Sequence, residues 1–533
     1  MIGRAPMRRR NEFIKNAAIL TITSLILRAV GMYFRIYISS VIGAEGIGLY
    51  QMILSIYVLV SGFASSGIVV AVTRMTTDQL AVGSHFGARY VLKKCLVISV
   101  AMGLISAAAV AVFADIIGSE WISDVRSIPS VRVMALSLPF MSISCCLRGY
   151  FTARRRAGVP STAQITEQAV RIVISLVLLE RLAPMGIAYS CLAVMLADAI
   201  SEGCGCLHVV LAYFSDSRKL GTKGERLTPP PHVYKLIWGI TAPITTSHYL
   251  TTLLRTIESI LVPDCLTRYL ISRAKALELF GMLRGMAMPL ILFPSTLLTA
   301  FSTLLIPELS EAQALGKTKG VQSAVRRSLG ITFSLSVPIV AIFMIYPTEL
   351  AVLVYDEPEV GWIMRCLAPL MPLMYVESVV AGILKGLGEQ MSSLRYNIAD
   401  SVIRIILTIV LVPRFGMAGF LAVMVVSNLL TSLLSIARLM KVAKIKFMWN
   451  AWLLRPLVCT AIAAAAVIGT ERFIDLSYVP NLWRIAFGGG MICFIYAVIM
   501  LFVTDSFDHI LFFTEAIFKK PLLKRNKKTT LNN

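Results

Sequence analysis

The chain has 533 residues, of which 57% are hydrophobic and only 15% are charged. Soluble globular proteins carry about 25% charged residues, so this composition excludes an ordinary soluble protein and predicts a polytopic membrane protein. The net charge of +22 does not indicate nucleic-acid binding. Lys and Arg are concentrated in short loops between apolar stretches, as expected for orientation in a membrane and for attraction to anionic lipid head groups.

Apolar stretches long enough to cross about 30 Å of hydrocarbon, which takes roughly 20 helical residues, occur fourteen times. We predict an all-α membrane protein with fourteen transmembrane helices. The first six spans are 13–41, 46–72, 85–113, 129–152, 161–180 and 186–213; the next six are 233–262, 276–305, 320–346, 365–386, 394–412 and 418–440; the last two are 451–470 and 483–504.

An internal repeat organises these spans. Residues near 83–200 recur 233 positions later, so that Gly83 returns as Gly316 and Gly149 as Gly382. Each repeat holds six spans, so both repeats enter the membrane from the same side and are parallel. We therefore predict an N-lobe (1–213), a cytoplasmic linker (214–232), a C-lobe (233–440), two extra helices (441–504) and a cytoplasmic tail (505–533) with a possible interfacial helix at 506–520.

Loop charge predicts the orientation. The N-terminus and every second loop are rich in Lys and Arg, whereas the alternate loops are short and richer in acid, as around Glu45, Asp115 and Asp356. Basic loops stay in the cytoplasm. Both termini are therefore expected to be cytoplasmic, in a bacterial cytoplasmic membrane.

Four arginines inside predicted spans are candidates for a substrate site: Arg28 and Arg35 in span 1, Arg255 in span 7 and Arg284 in span 8. A charge near mid-bilayer costs about 2.5–3.5 kcal/mol, so each needs a partner, a wet cavity or a substrate. Few acids are placed to neutralise them, although Glu258 lies one turn from Arg255. Guanidinium groups grip phosphate bidentately, so we predict that these four bind an anionic phosphate or diphosphate. The alternative is that they pair with acids on neighbouring helices or reach the interface.

Other ionisable groups in the spans come in pairs. An acid and an arginine four residues apart on a helix neutralise each other, which favours a structural or gating role. Such pairs are Glu167 with Arg171 in span 5 and Asp400 with Arg404 in span 11.

Asp198 and Glu202 share one face of span 6. They are candidates for a proton or cation site, and equally for counter-ions of Arg28.

No motif for catalysis, cofactor binding or a metal site is found. Gly316-Lys317-Thr318 resembles the end of a phosphate-binding loop, but Glu311 stands where the first Gly is required and no strand precedes it. Cys204, Cys206 and His208 fan around a helix instead of converging on a metal. We expect no enzyme activity, no cofactor and no metal.

Two long blocks resemble a known family. Phe13–Gln51 and Leu147–Ile172 are similar to the corresponding blocks of the stage V sporulation protein B-like polysaccharide exporters, in the multidrug/oligosaccharidyl-lipid/polysaccharide (MOP) superfamily. The resemblance implies two six-helix lobes facing each other in a V and the flipping of a lipid-linked saccharide.

In the murein lipid II flippase branch of that superfamily, arginines of spans 1 and 8 line the cavity, and Arg28, Arg35 and Arg284 fall on matching positions. Ile36 stands where that branch has Asp, and span 2 has no basic residue, so the glycan is left open.

The sequence as a whole predicts a flippase for a polyprenyl-diphosphate-linked saccharide, working by alternating access. Its partners would be that lipid and the membrane, without nucleic acid, and a monomer is expected. The alternatives are a cation-coupled multidrug antiporter of the same fold and a non-transporting membrane scaffold for envelope or spore assembly.

Overall fold

The computed structural model describes residues 5–219, 232–473 and 480–503. Within these ranges every regular element is helical. The first half contains α1 (Ala5–Ala81), α2 (His85–Ile116), α3 (Ile128–Ala153), α4 (Gly158–Leu182) and α5 (Ile187–Lys219). The second half contains α6 (Val233–Leu270), α7 (Arg273–Gly281), α8 (Met288–Leu292), α9 (Ser295–Ala314), α10 (Thr318–Ile345), α11 (Pro347–Tyr355), α12 (Glu359–Leu367), α13 (Met371–Gly386) and α14 (Gln390–Ala443). Two further helices follow, α15 (Arg455–Phe473) and α16 (Asn481–Val503).

Ten helical stretches in the described part of the chain are long and apolar enough to cross a membrane. Two of them, of 59 and 54 residues, are long enough to cross twice. Each has one residue with non-helical backbone angles, Gly43 (φ 76°) in α1 and Gly416 (φ 58°) in α14. Positive φ is accessible to glycine at little cost, so each helix is broken there by a kink without a loop. The breaks fall at the predicted junctions of spans 1 and 2 and of spans 11 and 12.

The predicted all-α polytopic membrane fold is confirmed. With both breaks, the ten stretches account for twelve predicted spans, and α6 and α7–α9 cover the seventh and eighth. The total of fourteen crossings stays a prediction.

Backbone geometry repeats at the spacing found in the sequence. Positive φ values occur at Ser123 (55°) and Asp356 (56°), and again at Arg155 (58°) and Gly388 (74°), each pair 233 residues apart. The helix contacts repeat as well. A Cβ at Gly149 would lie 3.1 Å from the Val69 carbonyl, and one at Gly382 would lie 2.1 Å from the Ser302 hydroxyl, and Val69 and Ser302 are also 233 apart.

The two halves pack through α1. Its second segment runs along α6, where the Thr256 hydroxyl donates to the Ser55 carbonyl at 3.1 Å. It also meets α7, at the end of the bundle where the acidic loops lie, which we call the acidic end; the opposite end is the basic end. There a Cβ at Gly48 would lie 2.0 Å from the Leu277 carbonyl oxygen, and one at Gly281 would lie 2.0 Å from that of Ala44. The two backbones are therefore in direct contact at the acidic end.

Two regions differ from the predicted spans. The eighth, predicted as one helix over 276–305, is segmented into α7, a π-helical turn (Met282–Ala287), α8 and α9. Pro294, which precedes α9, has no N–H to continue the helical ladder. The interval 347–364, outside the predicted spans, contains the short helix α11 and the start of α12. The predicted interfacial helix at 506–520 and linker residues 220–231 lie outside the described residues, while 214–219 extend α5.

Candidate functional site

The first charged cluster joins α3, α4 and α5. Arg171 and Glu167 form the predicted pair on α4, with Nη2 and Oε1 3.1 Å apart. The Arg171 Nε also lies 2.7 Å from Asp198 Oδ1, and its Nη2 lies 3.9 Å from Glu202 Oε1. Arg148 of α3 donates to the other Glu167 oxygen at 2.6 Å. Two guanidinium groups thus face three carboxylates, and each side chain is at most 26% exposed.

The second cluster is centred on the repeat partner of Arg171. Arg404 donates through Nη2 to Asp400 at 2.7 Å, as predicted, and through Nη2 and Nε to the Ser427 hydroxyl at 2.6 and 3.0 Å. The Ser427 hydroxyl in turn donates to the second Asp400 oxygen. Every oxygen of this acid–hydroxyl pair is therefore engaged, and Ser427 is fully buried.

Glu258 of α6 connects this cluster to Arg284. The Arg284 Nη2 donates to Glu258 Oε1 at 2.7 Å, and the Arg404 Nη1 lies 3.4 and 3.5 Å from the two Glu258 oxygens. The Glu258 side chain is 2% exposed. One buried carboxylate therefore serves two guanidinium groups, which come from the segmented eighth span and from α14.

The other three predicted substrate arginines have no such partner. Within the ranges that the structure describes, no carboxylate oxygen lies within 4.0 Å of Arg28, Arg35 or Arg255. Arg28 is exposed and donates through Nη1 to the Thr299 hydroxyl of α9 at 3.1 Å. Arg255 is exposed as well, although Glu258 lies one turn away on α6.

Arg35 is half-buried. Arg28 and Arg35 lie on α1, Arg255 lies on α6, and Arg284 lies in the segmented span that packs against α1.

The contacts of the predicted site residues fall into three separate groups, around Arg284, Arg28 and Arg171. Arg284 joins Arg404, Asp400 and Glu258, whereas Arg28 contacts the C-terminal part of the same span at Thr299, fifteen residues beyond Arg284. Asp198 and Glu202 are counter-ions of Arg171 and do not contact Arg28. That alternative for the two acids is therefore wrong.

Four participants were not identified from the sequence. Arg148 carried a usable signal, because it is a charged residue inside the predicted span 129–152. Glu258 was noted only beside Arg255, and its contacts with Arg284 and Arg404 depend on helix register. Ser427 and Thr299 are common hydroxyl residues with no distinctive pattern. In the described ranges, no group of three or more His, Cys, Asp or Glu side chains is arranged to hold a metal ion.

Comparison with known proteins identifies the family. Residues 13–313 match the family model described as polysaccharide biosynthesis protein, and residues 273–410 match the MatE model. The chain belongs to the polysaccharide biosynthesis protein family. The sequence-based resemblance to this family and to the MOP superfamily is therefore confirmed.

Two relatives from Bacillus subtilis (strain 168) match over most of the chain. Stage V sporulation protein B is 24% identical over 440 residues, which is 82% of this chain and 85% of the relative. Lipid II flippase MurJ is 22% identical over 435 residues, which is 77% of this chain and 79% of the relative.

Among solved structures, lipid II flippase MurJ in its inward closed conformation has a TM-score of 0.69. At 12% identity, the match covers 94% of this chain and all of that one. The chain is a multi-pass bacterial membrane protein of a transporter superfamily and not an enzyme.

Proposed function

We propose that the protein flips a polyprenyl-diphosphate-linked saccharide across the bacterial cytoplasmic membrane. Its relatives include a protein named as a lipid II flippase, and its family is described as polysaccharide biosynthesis protein. The basic end and both termini lie in the cytoplasm in this proposal. The N-lobe (1–213) and the C-lobe (233–440) rock against each other around the arginines, while the prenyl chain stays in the bilayer.

The observation that carries the proposal is the set of arginines without acid partners. Arg28, Arg35 and Arg255 have no carboxylate within 4.0 Å among the described residues. An uncompensated guanidinium in a span costs about 2.5–3.5 kcal/mol on insertion scales. An anionic ligand that enters beside them offsets this cost, and a diphosphate matches the forked donor geometry of Arg.

The packing supports closure of the acidic end in this proposal. At the acidic end, α1 and α7 touch backbone to backbone at Gly48 and Gly281. Arg273 of α7 also donates to the Ile122 carbonyl of the first half. These contacts close the bundle on the side that we assign to the exterior, and in this proposal the substrate enters from the cytoplasmic side.

The paired groups take a supporting role in this proposal. Arg171 and Arg404 each bind acids from two helices, so they tie spans together within one lobe. The cluster around Arg171 has three carboxylates and only two guanidinium groups. Asp198 and Glu202 therefore remain the candidates for binding a proton during the transport cycle.

The test is a flipping assay in proteoliposomes with a fluorescent undecaprenyl-diphosphate disaccharide and an impermeant quencher. We expect Arg35→Ala and Arg28→Ala each to lower the initial rate by roughly tenfold, the equivalent of about 1.4 kcal/mol. Arg132→Ala is the matched control, because Arg132 forms an exposed pair with Asp115 at the acidic end.

Full flipping by folded Arg35→Ala and Arg28→Ala proteins would contradict the proposal. Acid-dependent efflux of an organic cation that survives the loss of Arg28 would instead support the multidrug antiporter. Wild-type protein that moves neither probe would favour the scaffold.

A further inference from the structure

Only part of the Arg284 guanidinium is hydrogen-bonded within the described protein. Its Nη2 donates to Glu258 at 2.7 Å. Its Nε is buried and has no hydrogen-bond partner among the described residues. A buried donor without a partner is unfavourable, so the guanidinium retains the capacity to bind a further acceptor.

If that acceptor is an anion that displaces Glu258 from Arg284, the Glu258 carboxylate needs another positive partner. The carboxylate is 2% exposed, and a buried charge that loses its partner is strongly destabilising. Two anions would also compete for the same guanidinium. Binding at Arg284 is therefore linked to a new partner for Glu258.

Arg404 is positioned to become that partner. Its Nη1 lies almost equally far from both Glu258 oxygens, at 3.4 and 3.5 Å. Its Nη2 and Nε are already held by Asp400 and Ser427. Arg404 Nη1 thus already makes a long contact with Glu258, which a shift of about half an ångström would shorten to an ordinary hydrogen bond.

We propose that Glu258 is a positioning residue that holds Arg284 in the empty protein and passes to Arg404 when a phosphate or diphosphate binds Arg284. This inference rests on the proposed function for the class of anion. The transfer draws α6 toward α14 while the anion is bound. Occupancy of Arg284 is thereby coupled to helix packing inside the C-lobe, which supplies a trigger for the rocking step.

Glu258→Gln is the direct test, because it removes the competing charge and keeps the side-chain shape. We expect purified Glu258→Gln protein to bind inorganic diphosphate and undecaprenyl diphosphate roughly tenfold more tightly than wild type, a gain of about 1.4 kcal/mol. It should nevertheless flip more slowly, since the transfer to Arg404 is lost. Tighter binding with a lower maximal rate is a combination that a merely structural role would not produce.

The control neutralises a carboxylate of a different ion pair. Glu389→Gln removes a carboxylate paired with Arg438 at the basic end and should change neither affinity nor rate.

Unchanged or weaker binding of both probes by Glu258→Gln would overturn the inference, and so would wild-type protein that binds neither probe. Tighter binding of inorganic diphosphate alone, with no binding of the polyprenyl form, would support the inference and contradict the proposed function. If Glu258→Gln does not fold, the affinity of Glu258→Asp for the same two probes tests the inference. The shorter carboxylate retreats from Arg284 and should also tighten binding, and equal affinity would overturn the inference.

Discussion

The two repeats place an arginine and an acid at equivalent positions but complete the two clusters differently. In the first half, Arg171 takes its additional acids, Asp198 and Glu202, from the neighbouring helix α5. In the second half, the residues 233 positions later are Thr431 and Ser435. Arg404 therefore finds its second acid on α6, at Glu258.

This difference shows how one repeated scaffold builds two different charge clusters. The second repeat has hydroxyl residues where the first has two carboxylates, and Arg404 pairs instead with Glu258 of α6, a helix that packs on the first half. The first cluster is self-contained and carries one carboxylate more than it has guanidinium groups. The second is charge-balanced and linked to Arg284, one of the predicted substrate residues.

The largest expected effect is from removing the central arginine of each cluster. Arg171→Met leaves three buried carboxylates with Arg148 alone, whereas Arg404→Met leaves Asp400 with Ser427 and Glu258 with Arg284. We expect both to lower the free energy of unfolding, by about 3–5 kcal/mol for Arg171→Met and less for Arg404→Met. Thermal unfolding in detergent would measure this.

The stability losses of Arg171→Met and Arg404→Met should also depend differently on pH. Protonation neutralises an unpaired carboxylate, so the deficit of Arg171→Met should shrink as the pH falls, and more than that of Arg404→Met. An equal deficit for the two variants at every pH would show that the additional acids of α5 do not matter.

An intermediate effect is expected at the hydroxyl that only the second cluster has. Ser427→Ala removes hydrogen bonds to both Arg404 and Asp400, and hydrogen bonds to charged groups contribute about 1.5–3 kcal/mol. We expect a loss of roughly 2 kcal/mol in unfolding free energy. The repeat position in the first half is Val194, so Val194→Ala is the matched control for lost volume, and an equal loss there would mean that packing alone explains the result.

The smallest effect is expected in the loops at the basic end, where the charges of the repeats are reversed. Arg156 binds Asp216, while its counterpart Glu389 binds Arg438. The Ser392 hydroxyl, followed by the Arg438 guanidinium, holds the pKa of Glu389 below its usual value. Its contribution to stability is therefore present above the ordinary Glu pKa and is lost as the pH falls through the lowered one.

Titration of Glu389 by NMR with labelled glutamate would test this assignment. Ser392→Ala should raise the pKa of Glu389 toward the ordinary value, and by more than Arg438→Gln does. A larger change from Arg438→Gln would reverse the order of the two causes.

The sequence predicted the helical spans well because hydropathy reports burial in lipid directly. It also located the helix breaks at Gly43 and Gly416, where the apolar runs are interrupted. The segmented eighth span was missed, since a π-helical turn keeps the same composition as an α-helix and changes only the hydrogen-bond pattern. Helix α11 was missed because it is shorter than a membrane span.

The site was predicted less completely than the fold. Pairs four residues apart on one helix, such as Glu167 with Arg171, follow from helix geometry and are confirmed. The contact between Arg284 and Glu258 joins helices whose relative register a single sequence does not specify. The predicted surplus of positive charge at Arg284 therefore proved to be partly compensated, whereas Arg28, Arg35 and Arg255 have no acid partner within the described ranges.

The kink at Gly43 allows the first segment of α1 to pivot as a rigid helix. Arg35 and Arg28 lie eight and fifteen residues before it, or about 12 and 22 Å along the helix axis. A change of about 10° in the angle at this one glycine would displace the two guanidinium groups by roughly 2 and 4 Å, with no other residue in the segment altering its conformation. A small change of angle far from the charges is thus enough to move both guanidinium groups by the distance that separates a bound anion from a released one in the proposed function.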